Sequence, residues 1–483
     1  MPSPTPRSTV AEVLADQPVG TTVRVAGWVR HFRNERFVAL SDGTCQRTLQ
    51  VVVDRDALGG DELARVTVGA AVEATGELVE SRGRGQDVEL QAAAFAVVGV
   101  ADAATYPLQP KRHSLEFLRE IAHLRPRTNT FGAVLRVRHG LAMAIHRFFD
   151  ERGFVYLHSP VITASDAEGA GEMFRVTTLP QHPSEIPLTD DGAVDVSRDF
   201  FGRTAHLTVS GQLEAELGAL ALDRVYTFGP TFRAENSHTT RHLAEFWMVE
   251  PEIAFADLTD NMDLAEAMLR SVVADALARY PDELAFLEKR LLDEERHRPQ
   301  AERSGEPLRE RLAGITAQPF ERLTYTDAVE ILRRSKPNKK GQFRFPIEAW
   351  GADLQSEHER YLVERHFRRP VILTDYPAKI KAFYMRLSDD GRTVGAMDIL
   401  FPGIGEIVGG SQREERLDVL TERMAALAIP AEEMSWYLDT RRYGTCPHAG
   451  FGLGFERLVQ FVTGMSNIRD VIPFPRYPGS AEF

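Results

Sequence analysis

Short apolar runs separated by polar turn residues recur along residues 20 to 100, a pattern typical of β-strands. Val23, Val25, Trp28 and Val29 begin the pattern. The other predicted strands are Phe37 to Leu40, Leu49 to Val53, Ala71 to Leu78 and Val88 to Val98. Turns are expected at Ser41-Asp42-Gly43 and at Gly83 and Gly85. Short strands of this number and spacing predict a small barrel.

The pattern becomes helical after Tyr106 to Pro110, a proline-flanked segment that we predict to be a linker. The apolar residues at helical spacing are Leu141, Ile145, Phe148 and Phe149. Gly153 is expected to end this helix, and a strand from Phe154 to Leu157 is expected to stop before Pro160. Residues 260–345 are rich in Ala, Leu, Glu and Arg, with a break near Gly305 and Pro307, and predict helices inserted between sheet segments.

Length and composition indicate a folded protein of several domains. A chain of 483 residues is too long to fold around a single hydrophobic core, and an apolar content of 43% argues against disorder. Cys45 and Cys446 are too few and too far apart for a disulfide framework or a zinc site, which suits a reducing cytoplasm. We expect neither a signal peptide in MPSPTPRSTV nor a membrane span.

The net charge of −13 argues against a protein coated in basic surface for unspecific nucleic-acid binding. A local basic patch can still act over the short screening length. The candidate patch consists of Lys111, Arg112, Arg119, Arg125, Arg127, Arg136 and Arg138. An ordinary solvated helix face explains these residues equally well.

Two predicted strands near the middle of the chain carry unusual side chains. Residues 231–235 and 245–252 are separated by the polar loop 236–242. Because strand side chains alternate between faces, Arg233 and Glu235 share one face. The second strand places on one face Phe246, Met248, Glu250 and Glu252. A hairpin of the two would form a polar binding floor, whereas an edge hairpin would expose Phe246 and Met248 among charges.

Two later clusters contain glycine beside charged residues. The first comprises Asp398, Glu406, Gly409-Gly410-Ser411 and Arg413, and its carboxylates could hold Mg²⁺ together with phosphate groups. Acidic turns are common, so this signal is weak alone. The second is GFGLGFER, residues 450–457, which precedes an apolar helix pattern. Its glycines would let a ligand approach the backbone closely, and the helix start that follows would favour a bound anion. Tight packing explains such glycines too.

Together these blocks resemble the signature motifs of class II aminoacyl-tRNA synthetases. FFDERGFVYLHSP (148–160) is similar to motif 1, FRAENSHTTRHLAEF (232–246) to motif 2 and GFGLGFER to motif 3. GWVRHFR and LSDGTCQRTLQVVV resemble the anticodon-binding OB-fold of subclass IIb, which handles aspartate, asparagine and lysine. RHLAEFWMVEPE, SEHERYL and RRYGTCPHAGFGLGFER resemble most the members that handle asparagine.

The resemblance implies an α+β fold. An OB-fold β-barrel would span residues 1–104, a hinge 105–128, and a catalytic domain 129–483. The catalytic domain would be an antiparallel β-sheet flanked by helices, with the helical insertion around 260–345. The motif 1 helix and strand would make the protein a homodimer.

The resemblance also assigns roles in binding ATP. Arg233 would hold the α-phosphate, Glu235 would meet the adenine edge, and Phe246 would stack under the ring. Arg241 or His242 would steady the γ-phosphate.

Further roles follow for the charged residues of the later motifs. Arg457 would cover the other adenine face and reach the γ-phosphate, while Asp398 and Glu406 would bind Mg²⁺. The substrate carboxylate is itself the nucleophile, so no side-chain base is required. Catalysis would come from positioning and from charge neutralisation by Arg233, Arg457 and the metal ion.

The remaining roles concern the amino acid and the tRNA. Glu168, Ser210 and Gln212 would hold the ammonium group and backbone of the amino acid. The anticodon would be read by Arg33, Phe37 and Gln50, with Phe37 as the stacking surface. Residues 178–203 are assigned nothing beyond a candidate lid, and His358 is expected to be structural.

The choice between asparagine and aspartate depends on few positions. Aspartyl enzymes resemble this chain but carry a lysine where Ala215 stands and an aspartate where Glu250 stands. We expect Arg413 to donate to the side-chain carbonyl of asparagine and Glu250 to accept from its amide. Such a site rejects a substrate that lacks the N–H by on the order of 10⁴-fold.

The predicted function is ATP-dependent ligation of L-asparagine to tRNA(Asn), through an asparaginyl-adenylate, with release of AMP and diphosphate. An aspartyl enzyme of relaxed tRNA choice is disfavoured by Ala215 and Glu250. An asparagine synthetase on the same fold would not need the barrel. A non-catalytic RNA-binding paralogue would be expected to lack at least one of Arg233, Arg457, Asp398 and Glu406.

Overall fold

The computed structural model describes residues 5–81, 83, 85–165, 172–237, 239–297, 299, 303 and 306–483. They form two compact units. The first comprises Met1–Arg136, Asp282–Leu287 and Phe483, and the second comprises Val137–Pro281 and Glu288–Glu482. The domain boundaries at residues 104 and 128 stay predictions.

The first unit contains the barrel that the short strands predict. Its strands are β1 (Thr22–Arg33), β2 (Phe37–Ser41), β3 (Leu49–Val52), β4 (Ala71–Glu80) and β5 (Val88–Gly99), closed in the order β1-β2-β3-β5-β4. Helices α1 (Val10–Asp16), α2 (Arg55–Arg65) and α3 (Leu115–Glu120) accompany them. Alternate residues such as Val25, Val38 and Leu90 are completely buried inside the barrel. The predicted OB-fold is therefore confirmed.

The second unit is built on one large sheet. Its strands are β6 (Val155–Tyr156), β10 (Arg224–Phe232), β11 (Glu245–Ala254), β12 (Glu321–Thr324), β13 (Val371–Pro377), β14 (Thr393–Phe401), β15 (Gly405–Gln412) and β16 (His448–Gly454). Their order across the sheet is β12-β13-β14-β15-β16-β11-β10-β6. Pairing is antiparallel except at the two edges, where β12 and β6 run parallel to their neighbours. A smaller sheet contains β7 (Ile162–Thr163), β8 (Arg175–Val176) and β9 (Ala205–Leu207).

Helices accompany the sheet, and the predicted α+β class is confirmed. They are α4 (Asn129–Asp150), α5 (Gln212–Leu222), α6 (Leu258–Arg279), α7 (Pro281–Glu295), α8 (Leu308–Ala317), α9 (Tyr325–Arg334), α10 (Lys336–Lys339), α11 (Ser356–Arg360), α12 (Leu417–Ala426), α13 (Ser435–Arg442) and α14 (Phe455–Thr463). Helix α6 packs on β14, β15 and β16. It buries Ala265, Leu269, Val272 and Ala276, a spacing that puts apolar residues on one helical face.

The segment 260–345 differs from its prediction in one respect. It contains β12, an edge strand of the large sheet, so it is not a purely helical insertion. Strand β12 is only four residues long, with one buried apolar residue, Leu323, which is too short a pattern to recognise. The predicted break is confirmed between α7 and α8, although Gly305 lies outside the described residues.

The candidate basic patch does not form one solvated surface. Arg125 is completely buried and lies 4.2 Å from the centre of the Phe131 ring. Arg136 donates to Glu283 at 2.8 Å, and Arg138 donates to a partner within the second unit. These three cations therefore have structural partners, so an ordinary solvated helix face does not describe the whole set, and the basic patch stays a prediction.

The prediction for His358 is settled by the structure. His358 is completely buried, with Nδ1 accepting from the Gln355 N–H at 2.9 Å and Nε2 facing the Phe345 carbonyl oxygen at 2.8 Å. It is a satisfied structural histidine, as predicted. In the described parts of the chain, no helix combines the length and the apolar character needed to cross a membrane.

Candidate active site

Strand β11 forms the floor of the site. Its side chains Phe246, Met248, Glu250 and Glu252 follow one another on one face, with about 6.8 Å between successive members. The neighbouring strand β16 lies beside them, with Met248 opposite Gly454 and Glu252 opposite Gly450. A Cβ atom at Gly450 would collide with the Glu252 carboxylate, and one at Gly452 would lie 2.9 Å from Met248 Cε. The glycines of motif 3 therefore make room for the side chains of motif 2.

A pocket lies at the Phe246 end of this floor. Its lining includes every residue that the sequence assigns to ATP, namely Arg233, Glu235, Arg241, His242, Phe246 and Arg457. Met248, Glu406 and Glu456 also line it. The predicted binding floor thus contains the expected cations and the aromatic ring in one place.

The cations of the pocket are arranged around Phe246 and Glu235. The Arg233 guanidinium lies 5.6 Å from the centre of the Phe246 ring. Glu235 lies 3.9 Å from Arg233 Nη1 and 3.7 Å from His242 Nε2. Burial lowers the pKa of Arg241, and the neighbouring cations add to this effect. Several guanidinium groups in one pocket suit a polyphosphate, which they can bind through charge-assisted hydrogen bonds.

The strand predicted over residues 231–235 is too long. Strand β10 ends at Phe232, so Arg233 and Glu235 lie beyond it. The chain leaves the sheet where the Ala234 N–H donates to the Glu172 carbonyl oxygen at 2.6 Å. Both side chains nevertheless line the pocket, because the Arg233 N–H still donates to the carbonyl oxygen of Ala244, the residue before β11, at 3.0 Å.

Asp398 and Glu406 converge on one position above the sheet. Asp398 on β14 pairs with Gly409 on β15. An ideal Cβ at Gly409 would lie 3.2 Å from Glu406 Oε1 and 3.6 Å from Asp398 Oδ1. Burial raises the pKa of Glu406, and Asp398 raises it further. This donor set fits Mg²⁺, which takes oxygen ligands and often uses one or two carboxylates beside phosphates. Within the described ranges, no larger cluster of His, Cys, Asp or Glu has metal-binding geometry.

Glu250 is the next floor residue after Met248, farther from the pocket. Its carboxylate accepts hydrogen bonds from the Ser210 hydroxyl, the Gly211 N–H at 2.8 Å and the Thr227 hydroxyl at 3.1 Å. It therefore sits at the start of α5, where a negative charge is favoured by the free N–H groups. Burial raises the pKa of Glu250, against the lowering effect of these hydrogen bonds.

Arg413 is the other predicted specificity residue, and it is almost completely buried. Its Nε and Nη2 donate to the two carboxylate oxygens of Glu252, and its Nη1 donates to Ser411 Oγ at 2.9 Å. The structure brings Ser210 and Glu250 into contact and places Gln212 at the start of α5. The remaining predicted residue of this group, Glu168, lies outside the described residues.

Comparisons with known proteins agree with this geometry. A family model described as tRNA synthetases class II (D, K and N) matches residues 114–478, and one described as an OB-fold nucleic acid binding domain matches residues 23–98. The chain belongs to the class II aminoacyl-tRNA synthetases.

Individual relatives of this synthetase cover its whole length. It is 55% identical to the asparagine–tRNA ligase of Porphyromonas gingivalis over 480 residues, 99% of each chain. It is 57% identical to that of Thermosynechococcus vestitus over 478 residues, 98% of this chain and 99% of the relative. Among solved structures it resembles the asparaginyl-tRNA synthetase of Pyrococcus horikoshii complexed with asparaginyl-adenylate, with 29% identity, a TM-score of 0.81 and 99% of each chain covered.

The three predicted anticodon residues of this synthetase lie on adjacent strands of the barrel. Arg33 on β1 pairs with Phe37 on β2, and Gln50 on β3 pairs with the residue two positions after Phe37. Arg33 is exposed, whereas Phe37 and Gln50 are half-buried. Gln50 Nε2 donates to Glu89 at 2.8 Å. The barrel therefore presents a cation, an aromatic ring and an oriented amide.

Two charged residues near the carboxylate pair were missed by sequence reasoning. Lys381 Nζ donates to Asp398 Oδ2 at 2.8 Å. Burial raises the pKa of Glu359 to about 7, and Glu406 and Asp398 add to the shift. Glu359 is part of the SEHERYL motif and could have been found there, whereas nothing in the sequence around Lys381 indicates its partner.

Proposed function

We infer that this synthetase joins L-asparagine to tRNA(Asn) with ATP, through an asparaginyl-adenylate, and releases AMP and diphosphate. The observation that carries this inference is the continuous face of β11, which runs from the ATP pocket at Phe246 to the acid at Glu250. The relatives with 55% identity and more over nearly the whole chain are asparagine–tRNA ligases. ATP and the amino acid would thus lie next to each other along β11.

In the first step, the carboxylate of asparagine attacks the α-phosphorus in line. Phe246 lies under the adenine ring, Arg457 lies over it, and Arg233 holds the α-phosphate. Arg241 and His242 face the outer phosphates. Since the nucleophile is already an anion, these residues act by orientation and charge neutralisation rather than by moving a proton.

A magnesium ion fits this reaction. Asp398 and Glu406 would hold it, because their carboxylate oxygens converge above Gly409. Mg²⁺ would supply additional neutralisation of the phosphate charge. In the second step, a ribose hydroxyl of the terminal adenosine of the tRNA attacks the carbonyl of the adenylate.

The hydrogen bonds of Glu250 and Arg413 support their proposed roles toward asparagine. Glu250 Oε1 accepts one hydrogen bond, from Ser210, and a carboxylate oxygen can accept two. Arg413 has five N–H groups, of which those toward Glu252 and Ser411 use three. An amide offers the matching donor and acceptor. A substrate carboxylate would face the acid of Glu250 without the lysine that replaces Ala215 in aspartyl enzymes.

The function is tested by ATP–pyrophosphate exchange followed by tRNA charging. Exchange should proceed with asparagine and hardly with aspartate, and asparagine should be transferred to purified tRNA(Asn) and not to tRNA(Asp). Exchange with aspartate would identify an aspartyl enzyme of relaxed tRNA choice. Absence of exchange with both amino acids would identify a non-catalytic RNA-binding paralogue.

We propose that the barrel, over residues 1–104, reads the anticodon, with residues 105–128 as the hinge to a catalytic domain over 129–483. Phe37→Ala should weaken the binding of tRNA(Asn) by roughly 10- to 100-fold, because a stacked base contributes about 1–3 kcal/mol. The measurement is KM for tRNA in the charging assay. Pyrophosphate exchange without tRNA should be unchanged, and equal loss in both assays would contradict the assignment.

We propose a homodimer formed through motif 1. Strand β6 is an edge of the large sheet, and its Val155 and Tyr156 are exposed, as are the nearby apolar residues Met143 and Ile162. Val155→Glu places a charge on this apolar edge and should convert the dimer to a monomer in sedimentation experiments. A wild-type protein that sediments with the mass of one chain would refute the proposal.

The proposed location is the cytoplasm. Cys45 and Cys446 are both free thiols, as expected of a protein in a reducing compartment.

A further inference from the structure

A buried polar cluster surrounds Glu216, which lies about one turn into α5, the helix whose first residues contact Glu250. Glu216 on α5 is completely buried. Its Oε2 accepts hydrogen bonds from Tyr437 at 2.7 Å and from Arg441 Nη2 at 2.6 Å, and it lies 3.1 Å from His448 Nε2. Neither the sequence motifs nor the reaction described above assigns a role to this carboxylate.

The other oxygen of Glu216 faces the amino-acid site. Glu216 Oε1 accepts a hydrogen bond from Gln212 Nε2 at 3.1 Å and lies 3.8 Å from Arg413 Nε. Residues 212 and 216 are four apart on α5, so their side chains lie on the same helical face. The carboxylate is thus shared between a structural cluster and two residues that face the substrate.

The charge state of Glu216 determines the orientation of the Gln212 amide. Burial opposes ionisation, but Arg441, His448 and Arg413 together hold the pKa of Glu216 below its usual value. An ionised carboxylate only accepts hydrogen bonds. The Gln212 atom that faces Glu216 must therefore be the amide nitrogen, and the carbonyl oxygen must point to the opposite side.

That opposite side is where the substrate ammonium group is expected. The main-chain N–H of Gln212 donates to Ser210 Oγ at 3.1 Å, and Ser210 in turn donates to Glu250. Gln212 therefore begins α5 directly beside the two residues proposed to contact asparagine. We propose that Glu216 is a positioning residue, which holds Gln212 with its carbonyl oxygen toward the ammonium group of the amino acid.

This inference rests on the proposed function and refines it. An ammonium group carries only donors, so an amide presented by its NH₂ end would repel it, whereas the carbonyl end binds it. A purely structural role is the competing explanation, because Tyr437 and Arg441 attach α13 to α5 through the same carboxylate. The test must therefore separate recognition of the ammonium group from general stability.

The variant Glu216→Gln makes that separation with two ligands. A glutamine can present either an oxygen or an NH₂ group to Gln212, so the fixed orientation is lost. KM for asparagine in pyrophosphate exchange should rise roughly 10- to 100-fold, as for loss of a hydrogen bond to a charged group. The inhibition constant of succinamic acid, which is asparagine without its ammonium group, should stay within about twofold of wild type, since it does not use this hydrogen bond.

Equal weakening of both ligands, or no weakening of asparagine, would overturn the inference. Glu288→Gln is the matched control, because Glu288 is also a buried carboxylate that pairs with an arginine, Arg309, in α7 and α8. It should leave both constants unchanged. If Glu216→Gln does not fold, Glu216→Asp supplies the test, because the shorter carboxylate withdraws from Gln212 Nε2 and the same selective loss is expected. Failure of the proposed function is distinguished by the wild-type enzyme, which would then show no exchange with asparagine.

Discussion

Replacing Arg233 by glutamine should lower kcat for asparagine-dependent pyrophosphate exchange by roughly 100- to 1,000-fold. Arg233 lines the ATP pocket and lies over the Phe246 ring, which places its charge beside the bound nucleotide. Negative charge on the α-phosphate grows as the bond to the asparagine carboxylate forms. The guanidinium therefore stabilises the transition state more than bound ATP, and its loss should appear mainly in kcat.

The comparison of ATP binding with turnover tests this interpretation. KM for ATP should change by much less than kcat, because Phe246, Arg241 and Arg457 line the same pocket and are expected to hold the nucleotide. Arg309→Gln is a suitable control, since Arg309 pairs with Glu288 away from the pocket and is half exposed. A variant at Arg233 with normal kcat and only a raised KM would show that the residue binds ATP without stabilising the transition state.

The alternation of side chains predicted the catalytic floor well. It placed Phe246, Met248, Glu250 and Glu252 on one face; the last three lie beside the glycines of β16, and Phe246 lines the pocket. This worked because a strand has a strict period of two, so local sequence determines which residues share a face. The barrel was predicted instead from the number and spacing of short strands.

The limits of the strands were harder to predict than their faces. Arg233 and Glu235 keep the alternation of β10 but follow its last residue, Phe232. The end of the strand is set by the Ala234 N–H, which turns to the Glu172 carbonyl oxygen about sixty residues away. No residue pattern within the strand itself predicts that contact.

Residues that support the site from other elements were not predictable. Lys381 approaches Asp398 from outside the sheet, and Glu216 meets Arg441 from a helix more than two hundred residues away in sequence. The local sequence around each of these residues contains no pattern that indicates its partner. Their partners are determined by tertiary packing, so only the structure reveals them.

The second large effect is expected at Glu250. Glu250→Gln should lower the ratio of kcat/KM for asparagine to that for aspartate by on the order of 1,000-fold. In the wild-type chain, Glu250 Oε2 accepts from Gly211 and Thr227, and Oε1 accepts from Ser210. The Gly211 N–H can only donate, so the glutamine oxygen must take the Oε2 position. The new NH₂ group then faces Ser210, whose hydroxyl can reverse its role and accept.

This orientation also points the NH₂ group at the side chain of the bound amino acid. Two amide NH₂ groups would then face one another when asparagine binds, and both can only donate. Aspartate would instead meet a donor and lose the repulsion between two carboxylates. The specificity ratio should therefore fall through loss of asparagine and gain of aspartate together, which separates a change in recognition from a general loss of activity.

A matched variant removes a buried carboxylate without touching the site. Glu266 on α6 is buried and accepts from the Phe320 N–H at 3.1 Å, so Glu266→Gln should leave the specificity ratio unchanged while imposing a similar perturbation on folding. If Glu250→Gln lowers activity with both amino acids by the same factor, Glu250 shapes α5 and does not contact the substrate. If aspartate activity rises while asparagine activity falls, the strand that binds ATP also selects the amino acid, because Phe246 and Glu250 are fixed on one face of the same five-residue segment.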